Sequence, residues 1–213
     1  HEADKPIACL ILGHGAGAGK EHEFMQAMAS ELVAKGISTV LFNFPYMQTI
    51  KATGKRRPPD KADKLMSHFT AVIETCSKDN KALHNLPVFI GGKSMGGRMA
   101  TMVYEAVSNV KGAIALGYPF HPPGKPEKTR TDHLQTASKP LLIIQGERDT
   151  FGTKSEVEDY KKHNVLSTDI ECAYLDDGDH SFKPRKASGK TQEEHIVTAA
   201  TLTASFIEAH LNN

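Results

Sequence analysis

With 213 residues, 39% of them hydrophobic and 24% charged, the chain has the composition of a folded globular protein rather than a disordered or fibrous one. Its formal net charge is +1, so no global field draws it to nucleic acid or to an anionic membrane. No apolar run approaches the roughly 20 residues of a membrane-spanning helix, and the length fits a single α/β domain over 1–213.

Short apolar, β-rich runs alternate along the chain with helix-period segments. The first strand is expected over 7–12 (IACLIL), followed by a glycine loop and a helix over 21–35 that ends at Gly36. The loop fits G-x-G-x-x-A from Gly13 to Ala18, the pattern of a dinucleotide-binding turn. Such a turn also requires an acid near the end of the next strand to hold a ribose. That strand, 38–44 (STVLFNF), ends Asn43-Phe44-Pro45 without one. A glycine turn packing helix against strand accounts for the pattern more simply, and no cofactor is expected. A polar stretch follows to about residue 60, then a helix over 63–77. Within 51–64 (KATGKRRPPDKADK) six basic and two acidic side chains read as a solvated run; attraction of anionic substrates is the sharper alternative.

The third strand, 88–90, runs into GGKSMGGRMA (91–100), with a helix expected over 94–108. Gly92-Lys93-Ser94 imitates the end of a phosphate-binding loop, but Pro87 stands where that loop needs its first glycine. Gly19-Lys20 fails likewise, with His14 in place of the glycine and Glu21 in place of the hydroxyl residue. The same letters contain Gly92-x-Ser94-x-Gly96 between a strand and a helix. That is the sharp turn that exposes a nucleophilic serine, with flanking glycines leaving it room. An ordinary N-cap serine is the plainer alternative. Strands four, five and six are expected over 112–116, 140–145 and 170–175. The last helix begins at the capping box Thr191-x-x-Glu194 and runs to about 211. Near-continuous apolar strands alternating with helices imply a parallel sheet covered on both faces. Two Pro- and Lys-rich insertions, at 46–62 and 118–138, each follow a strand and hang over its carboxyl edge, where ligands bind in such folds.

A serine hydroxyl needs a base, and the base needs an orienting acid. Beyond strand five lies Gly146-Glu147-Arg148-Asp149, and beyond strand six Asp176-Asp177-Gly178-Asp179-His180. Three loops on one sheet edge thus deliver Ser94, Asp149 and His180 in the chain order this architecture uses. Glu147 is an alternative orienter; Asp149 is preferred because it lies further out in its loop. Asp176, Asp177 and Asp179 read as turn residues. His121 reads as a pocket wall or exposed, and His22, His68, His163 and His210 as surface. For the oxyanion of acyl transfer, one donor is the amide of Met95 at a helix N-terminus. The second comes from the loop after strand one, with Ala16 the first choice and Gly17 the second. Gly15, Gly17, Gly92 and Gly96 support these turns. Cys9, Cys76 and Cys172 lack metal-ligand spacing, so no metal is expected. The first residues, HEADKP, carry no signal-peptide pattern and no initiator Met, and a reducing cytoplasmic setting is the expectation.

On the HGAG loop, the GKSMGG elbow, the QGERDTFG acid loop and the DGDHSF histidine loop, the chain resembles α/β-hydrolases over essentially its whole length. It is most similar to the compact dienelactone-hydrolase-like branch and to the KANL/TEX-type small predicted hydrolases. The resemblance implies a three-layer α/β/α sandwich of six strands in the order 2-1-3-4-5-6, with Ser94 where the order reverses. The chain departs from the full fold in lacking two leading antiparallel strands and a helical cap. It departs from dienelactone hydrolases proper in its serine nucleophile. The function implied is hydrolysis of small or short-chain carboxylic esters, or thioesters, through an acyl-enzyme, with a small ester as the only expected partner. Some members of this branch are scaffold-like parts of larger assemblies, which makes a weakly catalytic interaction module the alternative.

Overall fold

A computed structural model of the protein describes residues 1–79 and 85–212. Its strands are β1 (Ala8–Gly13), β2 (Ile37–Phe42), β3 (Val88–Lys93), β4 (Val110–Leu116), β5 (Leu141–Gly146) and β6 (Ile170–Leu175). They form one sheet in the order β2-β1-β3-β4-β5-β6, parallel at every pairing, as the resemblance implied. The connections carry helices α1 (Glu23–Ala34), α2 (Pro45–Thr53), α3 (Ala62–Asp79), α4 (Met95–Val103) and α5 (Lys154–Lys162), and α6 (Gln192–Ala209) closes the chain.

β1 is buried at every position, as a central strand covered on both faces must be. Its alternating side chains divide the core. Cys9 and Ile11 pack on the side of Phe69 and Ile73 of α3 and Met99 of α4, whereas Leu10 and Leu12 pack on the side of Met28 of α1 and Ile207 of α6. From β1 the chain winds one way to β2 and then returns to β3 on the other flank. That reversal leaves a crevice at the carboxyl edge between β1 and β3.

Several boundaries differ from the sequence pattern for local reasons. Pro45 ends the extended run but also starts α2, where its missing N–H is no loss. Gly54, at φ 69°, closes that helix, so the expected polar stretch is half helical. α5 fills a connection where the pattern assigns no helix, and Thr153 with Glu156 forms its capping box. α4 stops at Val103 rather than 108 and tightens into a 3-10 turn over Tyr104–Ala106. The 118–138 insertion starts inward, with Tyr118 and Phe120 fully buried. Among the described residues, no helix is long and apolar enough to cross a membrane.

Candidate active site

β3 pairs with β1 on one side and β4 on the other, so its end projects from the middle of the sheet. There Ser94 adopts φ 51° and ψ −114°, a backbone conformation that side chains rarely accept. It is held by its own N–H donating to Leu116 O at 2.9 Å, while its carbonyl accepts from Arg98 N at 2.9 Å to start α4. A Cβ at Gly92 or at Gly96 would collide with the Gly13 carbonyl oxygen, so both positions admit only glycine. The Ser94 hydroxyl does not cap α4, which removes the N-cap alternative. It lies 2.8 Å from His180 Nε2 instead.

His180 Nδ1 lies 2.8 Å from Asp149 Oδ2. A carboxylate only accepts, so the ring proton sits on Nδ1 and Nε2 is free to accept from the serine. Asp149 is fully buried, and its other oxygen accepts from Phe151 N at 2.8 Å. Glu147 is elsewhere: its carboxylate takes Lys154 Nζ at 2.8 Å and Asp177 N at 3.1 Å, which settles the choice of partner for the imidazole. Asp176 and Asp177 do more than shape a turn, pairing with Lys190 and with Arg148 and Arg185. Phe151 stacks on the His180 ring at 4.2 Å between centroids, covering one face.

Gln145, at the end of β5, had no role in the sequence reading. Its Nε2 shares two hydrogens among Asp149 Oδ2 at 2.9 Å, Gly152 O at 2.9 Å and Tyr118 O at 3.1 Å, and its Oε1 accepts from Tyr118 N at 2.8 Å. One buried amide therefore fixes the acid loop and the loop after β4 together. The available signal is a lone amide closing the apolar run PLLIIQ.

The loop after β1 is fixed by two further side chains. Phe44 N donates to His14 Nε2 at 3.1 Å, so His14 Nδ1 carries the proton and donates to Gly15 O at 2.7 Å. Burial holds His14 below the usual histidine range, which keeps this tautomer neutral. Tyr46 OH, on α2, donates to Ala16 O at 2.9 Å. All peptides here are trans, and in a trans peptide the N–H points opposite to the preceding C=O. Tethering Gly15 O thus sets the direction of the Ala16 N–H, and tethering Ala16 O sets that of Gly17. The glycines at 15 and 17 are not sterically demanded. An added Cβ at Gly15 would come no nearer than 3.6 Å, to Lys93 O, and at Gly17 it would meet nothing within 4 Å.

Ser94 and His180 open on a cleft of about 620 Å³ lined by residues 15–18, by the start of α1 from His22 to Met25, and by Lys93 and Phe151. Residues of the basic 51–64 run do not line it. His121 is neither a cleft wall nor exposed; it is buried, with Nε2 3.3 Å from Glu156 Oε1. His68 and His210 are half-buried rather than surface, against Phe42 and Phe206, while His22 and His163 are exposed as expected. No group of three or more His, Cys, Asp or Glu among the described residues is placed to hold a metal ion.

Comparison with solved structures gives the same architecture at low identity. A dienelactone hydrolase from Anabaena variabilis aligns with a TM-score of 0.72 and 18% identity, over 99% of this chain and 90% of its own. A lidless α/β serine hydrolase from Xanthomonas campestris aligns at 0.71 and 17%, over 99% and 85%. An esterase from Pyrococcus furiosus aligns at 0.70 and 17%, over 97% and 83%. The model of the α/β hydrolase domain matches residues 6–208, nearly the whole length, and the chain belongs to that family.

Proposed function

We propose that the protein is a serine hydrolase that cleaves small or short-chain carboxylic esters, or thioesters, through an acyl-enzyme. The observation that carries this is the pair of 2.8 Å contacts linking Ser94 Oγ, His180 and the buried Asp149. Ser94 Oγ attacks the carbonyl carbon as its proton passes to His180 Nε2. Asp149 keeps the Nδ1–H tautomer and balances the imidazolium that forms. The N–H groups of Met95, at the start of α4, and of Ala16 receive the oxyanion. Collapse expels the alkoxide or thiolate, which takes the proton from His180. Water then repeats the cycle in reverse, releasing the acid and restoring Ser94. The esterase and hydrolase names of structurally similar proteins support the reaction class, and a cleft with Phe24, Met25 and Phe151 on its walls suits a short acyl group.

A fluorophosphonate probe should label the wild type at Ser94 and spare Ser94→Ala. The same variant should lower kcat on a short-chain p-nitrophenyl ester by about 10⁴-fold or more. A folded wild type that neither reacts with the probe nor turns over the ester would favour the interaction-module alternative.

A further inference from the structure

Among the polar side chains of the cleft to which this mechanism gives no part, Lys93 lies nearest the nucleophile in the chain. Lys93 is the last residue of β3, next to Ser94, and its Nζ donates to the backbone carbonyl of His180 at 2.6 Å. The ammonium also lies 5.7 Å from the ring centroids of Phe24 on α1 and of Phe182. Gly117, at φ 65°, gives it passage: a Cβ there would stand 2.8 Å from Nζ and 3.1 Å from His180 O. Three successive carbonyls of the histidine loop are in fact held from outside the loop. Gln192 donates to Ser181 O at 2.7 Å and His195 to Phe182 O at 2.8 Å, both from α6. Of these three tethers, Lys93 is the one that comes from the strand bearing the nucleophile.

We propose that Lys93 is a positioning residue for His180, its ammonium fixing the histidine loop to β3 so that the imidazole stays in line with Ser94 Oγ. A charged donor holds a carbonyl about twice as strongly as a neutral one. The tether matters because a misplacement of about 1 Å in a catalytic group can cost about 10²-fold in rate.

Titration gives the tether a signature. Burial pushes Lys93 down to about 8, against the opposing pull of Asp149 and Asp179. Asp149 follows β5, Asp179 and His180 follow β6, and His22, Glu23 and Lys183 share the cleft; Phe24 and Phe182 carry no charge. The charged form is therefore present below about pH 8 and lost as pH rises through it. Turnover should decline along that same alkaline limb.

The kinetic readout rests on the serine-hydrolase reading above. On a neutral ester, Lys93→Met should lower kcat by about 10–100-fold with KM within about twofold, and its remaining activity should lack the alkaline limb. Should the methionine variant not fold, Lys93→Gln, which keeps an N–H donor without charge, should show a smaller loss and the same missing limb. A folded variant with wild-type kcat, or one that keeps the limb, overturns the proposal; a loss of folded protein alone would leave the limb in place. If the wild type does not react at all, the hydrolase reading fails separately. Lys93 is then judged by the ring-nitrogen NMR signals of His180, assigned with His180→Gln. Signals that move in Lys93→Met support the tether, and identical signals overturn it.

Discussion

At the scale of single residues, the site depends on side chains that react with nothing. Gln145→Leu keeps the volume but strips partners from Tyr118 N, Tyr118 O, Gly152 O and Asp149 Oδ2. Asp149 Oδ2 keeps His180 Nδ1 and Tyr118 O keeps Phe120 N, so Tyr118 N and Gly152 O are the groups left unsatisfied. Each costs about 1–3 kcal/mol, so a loss of about 3 kcal/mol is expected, read as a lower midpoint in urea. Such residues explain what could be read from the chain and what could not. Ser94 was legible because glycines must flank so tight a turn, and His180 and Asp149 because they follow the last two strands in the required order. Gln145, His14, Tyr46 and Lys93 were not. Each acts on a backbone carbonyl or amide of another segment, and only the folded chain says which groups face each other. Lys93 was visible in the sequence as a letter of a false phosphate loop; its place against the His180 carbonyl depends on a segment 87 residues away.

At the scale of elements, α2 is the clearest instance of a signal with two meanings. Pro45 closes a strand and opens a helix, and without the helix Tyr46 would have no reach to the loop after β1. Tyr46→Phe retains the buried ring and removes the hydroxyl that holds Ala16 O at 2.9 Å and reaches Gly15 O, the carbonyl that sets the Ala16 N–H, at 3.4 Å. Thermal stability should change little, while kcat should fall by about 10-fold, short of the 10²–10³ expected for losing an oxyanion donor outright. Steady-state kinetics beside a melting curve would separate the two effects. α5 escaped notice for a different reason. Its sequence, KSEVEDYKK, buries only Val157, too sparse a stripe to mark a helix. The six strands, by contrast, were legible in type because a doubly covered sheet demands unbroken apolar runs, while their order was what the family resemblance implied.

At the scale of the whole molecule, the basic run over 51–64 proves to be a surface feature. Lys51 pairs with Glu21, and Arg57 and Lys64 lie at Asp60, so part of its charge is neutralised locally. A combined Lys51, Arg56 and Arg57 to Ala variant should therefore hydrolyse neutral and acidic esters with wild-type kcat/KM at moderate salt. A selective loss on the acidic ester would restore a steering role to this face. The sheet itself distributes the proposed chemistry unevenly. Ser94 stands on a strand flanked on both sides, whereas His180 hangs from β6, the last strand of the sheet, and from the α6 residues that hold its loop. Edge elements open locally at lower free energy than central ones. A transient fraying of β6 would withdraw the base while leaving the nucleophile turn and the buried α6 intact, so a folded but silent state would precede unfolding.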